Sequence, residues 1–340
     1  MKVAAMPRVS VIIPNYNRAS LVGETIRNML AQTLPPCEII VVDDGSTDNS
    51  VEVIRAFGSR VRLLQQTNRG PGAARNAGLA VASGEFVQFM DSDDLASRNK
   101  LEVQARVMER TGADFVYGPY VRGHIQPGVF QPEDVVLLQR PLPSRLSLDA
   151  WVLRGLAIAF QACLLRRSRV ERLGGYRTDL MPSEDTELLF RMGLARVPIA
   201  FSTDCLTLYR LHSGGQITAS GTQRGARLVD WARMRLCLEG QARSQATRYD
   251  PATRLCAATE LWNTRVWLER LGVSQPDLAR QLDRARGGIP VWACRLSQGV
   301  ELLAQRSRLL WHRHRWKSFY QAAPLTPLQR SLLGQLGLQV

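Results

Sequence analysis

The first ninety residues alternate short apolar runs with segments of helical spacing. The runs are continuous and rich in β-branched residues, which is typical of strands that a sheet buries on both faces. They cover residues 8–13, 38–42, 61–64 and 85–90. Between them, apolar residues recur at helical intervals over 21–30, 49–57 and 72–82. This alternation predicts an α/β fold with a mostly parallel sheet and helices on both faces.

Polar clusters follow three of these runs at the point where each strand should end. The clusters are Asn15-Tyr16-Asn17, Asp43-Asp44 and Asp91-Ser92-Asp93-Asp94. Because ligands of open α/β sheets bind beyond the carboxyl ends of the strands, we expect the clusters to converge on one edge. Tyr16 offers an aromatic face for a nucleobase, and Asp44 offers an acceptor for a base or ribose donor. The sequence therefore indicates a nucleotide site.

The negative charge of Asp91 and Asp93 is the most telling part of this pattern. Carboxylates at a strand end are unfavourable unless a cation or hydrogen-bond donors offset them. Mg²⁺ and Mn²⁺ prefer such oxygens and commonly bind one or two carboxylates together with substrate phosphates. The pair thus predicts a metal–diphosphate site, although the same residues alone would also suit a solvated acidic turn. Asp94 is expected to cap the following helix, and Ser20 the helix from Leu21.

Other nucleotide- or phosphate-binding classes fit the sequence poorly. The stretch 70–72 begins like a dinucleotide-binding fingerprint, but Arg75 stands where the third glycine belongs. A P-loop is excluded, because no G-x-x-x-x-G-K-[ST] stretch occurs. Asp43 and Asp44 alone would suit the phosphoacceptor pocket of a signalling receiver domain. A chain of 340 residues with this many further polar clusters is too large for that role alone.

The net charge of +14 is concentrated in the C-terminal third of the chain. Residues 221–340 hold 19 Lys and Arg against 8 Asp and Glu, and their apolar residues recur at helical spacing. Nearly all the cations are arginine, which suits the phosphates of lipids, nucleotides or nucleic acid. A bias of composition would give the same pattern. We expect a basic and mainly helical C-terminal region.

Neither export nor membrane insertion is indicated. The N-terminus lacks the long apolar region of a signal peptide, and no apolar run approaches the roughly 18 to 20 residues that span a bilayer. The six cysteines form no C-x-x-C pair, which argues against a zinc site or a disulfide framework and for reduced thiols. We therefore expect a cytoplasmic protein.

A membrane surface is nevertheless a candidate partner. The segment 291–320 mixes tryptophans and aliphatic residues with arginines. A helix that carries these on opposite sides can lie at an anionic membrane, so we expect peripheral attachment at the inner face of the membrane. The same stripe would also suit packing on the catalytic domain or in a dimer, with the arginines solvated.

Several stretches of the chain, taken as a set, carry the motifs of a known family. They are residues 9–18, 32–33, 38–48, 68–78 and 91–94 and, further on, 174–176, 183–188 and 209–212. In order and spacing they closely resemble family 2 glycosyltransferases, and the resemblance covers about residues 8–215. It implies the GT-A fold, which is a Rossmann-like, mostly parallel sheet with helices on both faces. Here a helical C-terminal extension follows.

The domain boundaries are expected at residue 220 and, within the catalytic domain, near residue 118. Residues 1–220 would form the GT-A catalytic domain, with a nucleotide-sugar half at about 1–118 and an acceptor half at about 119–220. Residues 221–340 would form the basic helical region. The segment 119–150 is rich in proline and shows little periodicity, so we expect an irregular stretch that shapes the acceptor pocket.

The resemblance also implies roles for single residues on the donor side. Pro14 and Tyr16 would line the nucleobase pocket. Asp44 would accept from the base, with Asp43 beside it. Arg75 would lie near the ribose or the phosphates.

The remaining implied roles concern the metal and the chemistry. Asp91 and Asp93 correspond to the D-x-D motif, with Asp93 as the closer metal ligand and Asp91 supporting it and the ribose side. His212 is expected to complete the metal or diphosphate contacts. In the pair Glu184-Asp185, Asp185 corresponds to the catalytic base. Without the other motifs, this pair would suit an acidic helix N-terminus.

These expectations define an inverting, metal-dependent glycosyltransferase that uses Mn²⁺ or Mg²⁺. The donor is a nucleotide sugar, with UDP favoured over GDP or dTDP, and the acceptor is a glycan or lipid-linked sugar in cell-surface polysaccharide assembly. Processive relatives carry a Gln-x-x-Arg-Trp motif, whereas His312 precedes Arg315-Trp316 here, so we expect transfer of a single sugar. The alternatives are a nucleic-acid-binding protein or a silent scaffold that uses the basic C-terminal region. The catalytic clusters make both weaker, and the oligomeric state is left open.

Overall fold

A mostly parallel seven-stranded sheet forms the centre of the protein, as the apolar runs predict. The computed structural model describes residues 7–137, 141–142, 144–181, 183–212, 224–245, 248–307 and 325–339. The strands are β1 (Val9–Asn15), β2 (Glu38–Asp43), β3 (Arg62–Gln65), β4 (Phe86–Phe89), β5 (Leu95–Ala96), β6 (Phe115–Tyr117), β7 (Tyr120–Gln126), β8 (Val129–Leu137), β9 (Cys163–Arg166), β10 (Ile199–Phe201) and β11 (Thr207–Leu211). The helices are α1 (Val22–Leu30), α2 (Ser50–Arg55), α3 (Pro71–Val81), α4 (Lys100–Thr111), α5 (Leu148–Leu153), α6 (Arg167–Arg172), α7 (Glu184–Leu194), α8 (Arg224–Ser244), α9 (Pro251–Arg270), α10 (Pro276–Ala285), α11 (Val291–Ser307) and α12 (Pro327–Gly334).

The strand order of this sheet places a crevice beside β1. The order is β10-β6-β9-β4-β1-β2-β3, in which only β9 runs antiparallel to its neighbours. The chain adds β2 and β3 on one side of β1 and β4 on the other, so the sequence order reverses at β1. Open α/β sheets bind ligands at such a switch point, beyond the carboxyl ends of the strands.

Both faces of the main sheet are buried, which explains why its strands are continuous apolar runs. Along β1, Ile12 packs on one face in the cluster that includes α3, α5 and α7. Val11 and Ile13 pack on the other face with α1, α2 and α4. The prediction of helices on both faces is confirmed.

The start of α1 differs from the prediction. Leu21, and not Ser20, occupies the N-cap position, and no side chain caps the helix. The backbone nitrogens of Leu21 and Val22 both donate to the carbonyl oxygen of Arg18 over 2.9 Å. A backbone turn that continues into the helix therefore replaces the cap that the Ser20 hydroxyl was expected to provide.

A second, four-stranded sheet has the order β5-β11-β7-β8. Its hairpin of β7 and β8 occupies residues 120–137, so the expectation of an irregular stretch is wrong there. Pro132 did not prevent strand formation, because β8 lies at the edge of the sheet, where a missing backbone donor is tolerated. Leu332 and Leu333 of α12 pack on this sheet, which brings residues 325–339 back to the first half of the chain.

The helices α8 and α9 pack against α5 and α7. The buried guanidinium of Arg235 donates to the carbonyl oxygens of Val152, over 3.2 Å, and Leu153, over 2.6 Å. Gln241 donates from Nε2 to Glu187 Oε1 of α7, over 2.6 Å. The predicted helical C-terminal region is confirmed, and it supports the helix that begins with Glu184. No helix within the described ranges combines the length and apolar character needed to cross a bilayer.

Gly193 allows a close approach of α7 to α5. A Cβ at this position would lie 2.2 Å from the backbone nitrogen of Asp149. Gly193→Ala must therefore push the two helices apart, and we expect it to lower the free energy of unfolding by about 1–3 kcal/mol in urea denaturation. Gly240→Ala in α8 is the matched control: a Cβ there meets nothing within 4 Å, and the change should stabilise by roughly 0.5–1 kcal/mol. Unchanged stability of Gly193→Ala would contradict the observed packing.

Candidate active site

The first two strand-end clusters meet beside β1. Asn15 donates from Nδ2 to Asp43 Oδ1 over 2.9 Å, and its carbonyl oxygen accepts from the Asp44 backbone nitrogen over 2.8 Å. Ser46 donates to Asp43 from its backbone nitrogen, over 3.0 Å, and from Oγ, over 2.6 Å. Asp43 is buried, so its contacts are with its own turn and the end of β1.

Pro14 and Tyr16 occupy different environments. Tyr16 follows β1 directly and is 45% exposed, so one face of its ring is accessible for stacking. Pro14 is buried inside β1, where it pairs in register with Val42 of β2. Tyr16 is thus the residue of the two that a base can reach, and Pro14 fixes the strand that presents it.

Asp44 binds the loop that leads into α3. Its Oδ1 accepts from Gln66 Nε2 over 2.7 Å and from the Arg69 backbone nitrogen over 2.9 Å. Its Oδ2 accepts from the Gly70 backbone nitrogen over 2.8 Å. Gly70 has a φ of +86°, a conformation that glycine adopts without strain. The described contacts of Asp44 therefore hold the glycine-rich loop beside the end of β2.

Arg75 joins the turn after β4 to the start of α7. The guanidinium donates from Nη2 to Asp91 Oδ1 over 2.8 Å and from Nη1 to Glu184 Oε1 over 2.7 Å. Asp185 Oδ1 lies 3.8 Å from Nη1, and the guanidinium stands 5.3 Å from the ring centroid of Tyr176. Burial alone would lower the pKa of Arg75, but the surrounding carboxylates raise it well above its usual range. The arginine stays charged and fixes three acids around itself.

Asp185 has the properties of a general base. Burial raises its pKa to about 7, with the charge of Arg75 opposing this and those of Glu184 and Asp91 adding to it. Its Oδ1 is a buried oxygen that accepts no hydrogen bond within the described structure. The side chain as a whole is still 29% exposed, so a substrate can reach it. Glu184, in contrast, is buried and engages both oxygens, with Arg75 and with the Ser183 backbone nitrogen.

Asp93 has bonding partners outside this cluster. Its Oδ2 lies 2.9 Å from His212 Nε2 and 3.2 Å from Arg18 Nε. Burial raises the pKa of Asp93, but the hydrogen bond with His212 and the charge of Arg18 outweigh it and lower the pKa. Burial raises the pKa of Asp91, and Arg75 opposes that rise. The two acids of the D-x-D stretch are therefore held by different partners.

Asp94 does not cap a helix, contrary to the sequence-based expectation. The N-cap of α4 is Asn99. The buried carboxylate of Asp94 accepts from the Arg210 backbone nitrogen at Oδ1, over 2.8 Å, and from Gln161 Nε2 at Oδ2, over 2.9 Å. Because Arg210 lies two residues before His212, Asp94 ties the end of β11 to the turn that carries Asp93.

We expect Asp94→Asn to destabilise the protein. One acceptor oxygen becomes an amide nitrogen, so either the Arg210 nitrogen or Gln161 Nε2 loses its partner in a buried place. Leaving such a donor unsatisfied costs about 1–3 kcal/mol, which urea denaturation would detect. Asp204→Asn at an exposed carboxylate is the control and should change little. An Asp94→Asn protein as stable as the wild type would show that these two bonds do not hold β11.

The residues around Asp93 fit a divalent cation. Among the described residues, no three carboxylate, imidazole or thiol groups form a complete metal centre. Asp93 and His212 nevertheless present an oxygen and a nitrogen donor side by side. Mg²⁺ and Mn²⁺ accept such incomplete sites, because substrate phosphates and water supply the remaining ligands. Asp91 is the third predicted ligand, and in this structure its Oδ1 is bound by Arg75.

Some residues of the site were given no role from the sequence. Arg18 and Gln161 act through bonds to residues 75 and 67 positions away, and no local pattern predicts such contacts. Two aromatic residues near this side of the protein, Trp151 and Tyr176, are core residues at 0% and 3% exposure. Tyr176 therefore contributes to the site through its ring, over which the Arg75 guanidinium lies.

Comparison with known sequences identifies the family. The sequence model described as "Glycosyl transferase family 2" matches residues 10–174. The chain is 33% identical over 220 residues to the glycosyltransferase GlyG of Streptococcus pneumoniae serotype 4 (strain TIGR4). The aligned segment covers 61% of this chain and 71% of GlyG. The chain belongs to the family 2 glycosyltransferases and is a glycosyltransferase enzyme.

A second relative is known by its reaction. Over 114 residues the chain is 40% identical to the UDP-Glc:alpha-D-GlcNAc-diphosphoundecaprenol beta-1,3-glucosyltransferase WfgD of Escherichia coli, covering 33% of this chain and 45% of that protein. The chain likewise spans less than half the length of six further curated relatives.

Solved structures show the same fold. TarS of S. aureus, residues 1–349 in complex with UDP-GlcNAc, superposes with a TM-score of 0.61 at 20% identity, covering 82% of this chain and 79% of that one. The mannosyltransferase PcManGT of Pyrobaculum calidifontis, in complex with GDP-Man and Mn²⁺, gives a TM-score of 0.51 at 19% identity, covering 98% and 87%. These similarities establish the GT-A fold for the present chain.

Proposed function

We propose that this enzyme is an inverting, metal-dependent and non-processive transferase. It moves one sugar from a nucleoside-diphosphate sugar to a glycan or lipid-linked acceptor. The observation that carries the proposal is Arg75, which joins Asp91 of the strand-end turn to Glu184 and Asp185 at the start of α7. Displacement at a sugar carbon requires a base for the acceptor proton and a binding place for the leaving diphosphate. The guanidinium of Arg75 holds the residues proposed for both.

The donor is proposed to be a UDP-sugar. WfgD uses UDP-Glc and TarS was solved with UDP-GlcNAc, while PcManGT holds GDP-Man, so a GDP- or dTDP-sugar is the second choice. Tyr16 would stack on the base, and Asp44, close to it after β2, would accept from the base. Asp44 Oδ2 accepts only the Gly70 nitrogen among the described donors, so acceptor capacity is left for the base.

Asp93 and His212 would hold the divalent cation together with the donor diphosphate, and Asp91 would support it. A cation at this place supplies positive charge for the leaving diphosphate without any proton transfer. Arg18, on the same Asp93 oxygen as His212, adds a fixed positive charge to this side of the site. Arg75 would add a second positive charge, close to the phosphates or the ribose.

Asp185 would act as the base. As the acceptor oxygen forms its bond to the anomeric carbon and the bond to the diphosphate breaks, the acceptor proton passes to the Asp185 carboxylate. Attack comes from the side opposite the leaving group, so the anomeric configuration inverts. Glu184 is buried and accepts from Arg75 and from the Ser183 backbone nitrogen, so its proposed role is to hold Arg75.

The acceptor is proposed to be lipid-linked, because WfgD is named for a diphosphoundecaprenol acceptor. On this proposal the reaction would take place at the cytoplasmic face of a membrane, in the assembly of a cell-surface polysaccharide. Tyr16 and Met181 are 45% and 47% exposed, and Met181 lies beside Gly70 of the glycine-rich loop.

We expect the rate to fall at acid pH through Asp185. The base must be ionised, and its folded pKa is about 7, so kcat/KM should rise with pH up to about 7 and then level off. Below that value the loss should approach roughly tenfold per pH unit. Asp93 stays ionised over this range because its pKa is lowered. Initial rates from pH 5.5 to 8.5 at saturating Mn²⁺ measure the profile. A flat profile would rule out a base with this pKa.

The proposed function is tested by donor and acceptor panels. Nucleoside diphosphate release is measured from UDP-, GDP- and dTDP-sugars with Mn²⁺ or Mg²⁺ and a lipid diphosphate sugar acceptor. The expected result is transfer from a UDP-sugar that requires metal and gives a product of inverted configuration by NMR. Retention of configuration, or equal rates in a chelator, would contradict the mechanism.

A further inference from the structure

Four large apolar side chains lie exposed on the helices α9 and α11 and at the end of α9. Their exposed fractions are 51% for Trp267, 43% for Leu271, 69% for Trp292 and 63% for Leu296. They make up nearly half of the nine large hydrophobic residues that are exposed in the described parts of the chain. Two exposed tryptophans in one region favour an interaction surface over isolated surface residues.

The two helices also enclose a groove of about 520 Å³. Trp262 and Val291 lie in it as half-buried or buried apolar residues, and Trp267 forms part of its wall. Arg270 and Arg295 enter it from α9 and α11. Arg265 and Glu269, which pair with each other, also line the groove. The lining thus combines apolar surface with three arginines and one acid.

Arg270 and Arg295 form no ion pair with any described residue. Arg270 stacks on Trp267, with its guanidinium carbon 5.6 Å from the ring centroid, and Arg295 is exposed. Arg265, only five residues before Arg270, is in contrast bound by Glu269 and Asp283. Arg270 and Arg295 are thus available to an anionic partner.

We propose that this α9–α11 surface, made of Trp267, Arg270, Leu271, Trp292, Arg295 and Leu296, binds the anionic phospholipid headgroups of a membrane. Tryptophan and leucine side chains insert at the boundary of headgroups and acyl chains, and arginines pair with the phosphates. The link to catalysis rests on the proposed function, because such a membrane would carry the lipid-linked acceptor.

Charge favours this occupant over the alternatives. Residues 221–340 hold 19 Lys and Arg against 8 Asp and Glu, so a second copy of the chain would bring like charges together. The same argument disfavours residues 308–324 as the occupant, since they carry four Lys and Arg and no Asp or Glu. These residues include the rest of the segment 291–320 expected at the membrane, with Trp311 and Trp316, and lie outside the described structure.

Vesicle sedimentation of the full chain tests the proposal. The protein should bind phosphatidylcholine vesicles that contain phosphatidylglycerol and ignore vesicles of phosphatidylcholine alone. Binding should weaken with salt. The double variant Arg270→Gln/Arg295→Gln should bind about 30-fold more weakly, at about fivefold per arginine. Trp292→Ala should bind about tenfold more weakly through lost apolar contact.

The matched control removes the same charge elsewhere. Arg110→Gln/Arg284→Gln changes two exposed arginines outside the surface and should bind nearly as the wild type does. Equal weakening by both double variants would overturn the proposal, because general charge attraction would then suffice. A folded wild type that ignores anionic vesicles at low salt, or binds duplex DNA instead, would also overturn it. Nucleoside diphosphate release without vesicles is assayed in parallel and should be unchanged in every variant, so failure of the proposed function is seen separately.

Discussion

Asp93→Ala should lower the release of nucleoside diphosphate from a UDP-sugar by roughly 10²- to 10³-fold, the usual effect of losing a charge stabiliser in an active site. Asp93 is the acid that lies against His212, whereas Asp91 is bound by Arg75. Its loss would leave the His212 imidazole as the only one of the two proposed metal ligands. The variant should also lose the gain in UDP affinity that Mn²⁺ confers on the wild type, which isothermal titration calorimetry measures.

The control for this result is Asp204→Ala, which removes an exposed carboxylate. It should leave both turnover and the effect of Mn²⁺ unchanged. Circular dichroism and the urea midpoint must show that the Asp93 variant is folded. If Asp93→Ala binds UDP with the same dependence on Mn²⁺ as the wild type, Asp93 is not a metal ligand.

Asp185→Asn should lower sugar transfer by roughly 10²- to 10⁴-fold, which is the typical contribution of a general base. Asparagine has the same shape but cannot take up the acceptor proton. Asp185 lies on α7, and its contact with Arg75 is the longest of the three acids at 3.8 Å. The donor side should therefore keep its structure, and UDP binding with Mn²⁺ should stay within a few-fold of the wild type.

Asp179→Asn serves as the matched change, because Asp179 is a carboxylate that is 62% exposed and paired with Arg177. Its transfer rate should equal that of the wild type. The pH profile adds an independent check, since the rise toward pH 7 should vanish from the residual activity of Asp185→Asn. Full activity in this variant would mean that another group accepts the proton.

The meeting of the first two strand-end clusters could be predicted from sequence because its signals are local. Each strand and the polar cluster behind it are neighbours in the chain, and a parallel sheet brings such ends together. Asn15, Asp43 and Asp44 met as expected for this reason.

The linkages between the halves of the site could not be predicted. The bond of Arg75 to Glu184 joins residues 109 positions apart, and that of Asp94 to Arg210 joins residues 116 apart. Asp94 looked like a helix cap because local preference favours that role, but its burial against β11 decided otherwise. The β7–β8 hairpin after residue 119 was not predicted, because proline argues against a strand in general and is tolerated only at positions such as an edge strand.

We propose that a metal-dependent donor-binding site at Asp93 and a general base at Asp185 are separate parts of one transferase site. UDP binding and sugar transfer, measured side by side with and without Mn²⁺ in the wild type and both variants, test it most directly. We predict that the wild type binds and transfers, that Asp185→Asn binds in the presence of Mn²⁺ without transferring, and that Asp93→Ala loses both the Mn²⁺ effect and transfer. Transfer by the wild type that needs no metal, or normal transfer by either variant, would contradict the claim.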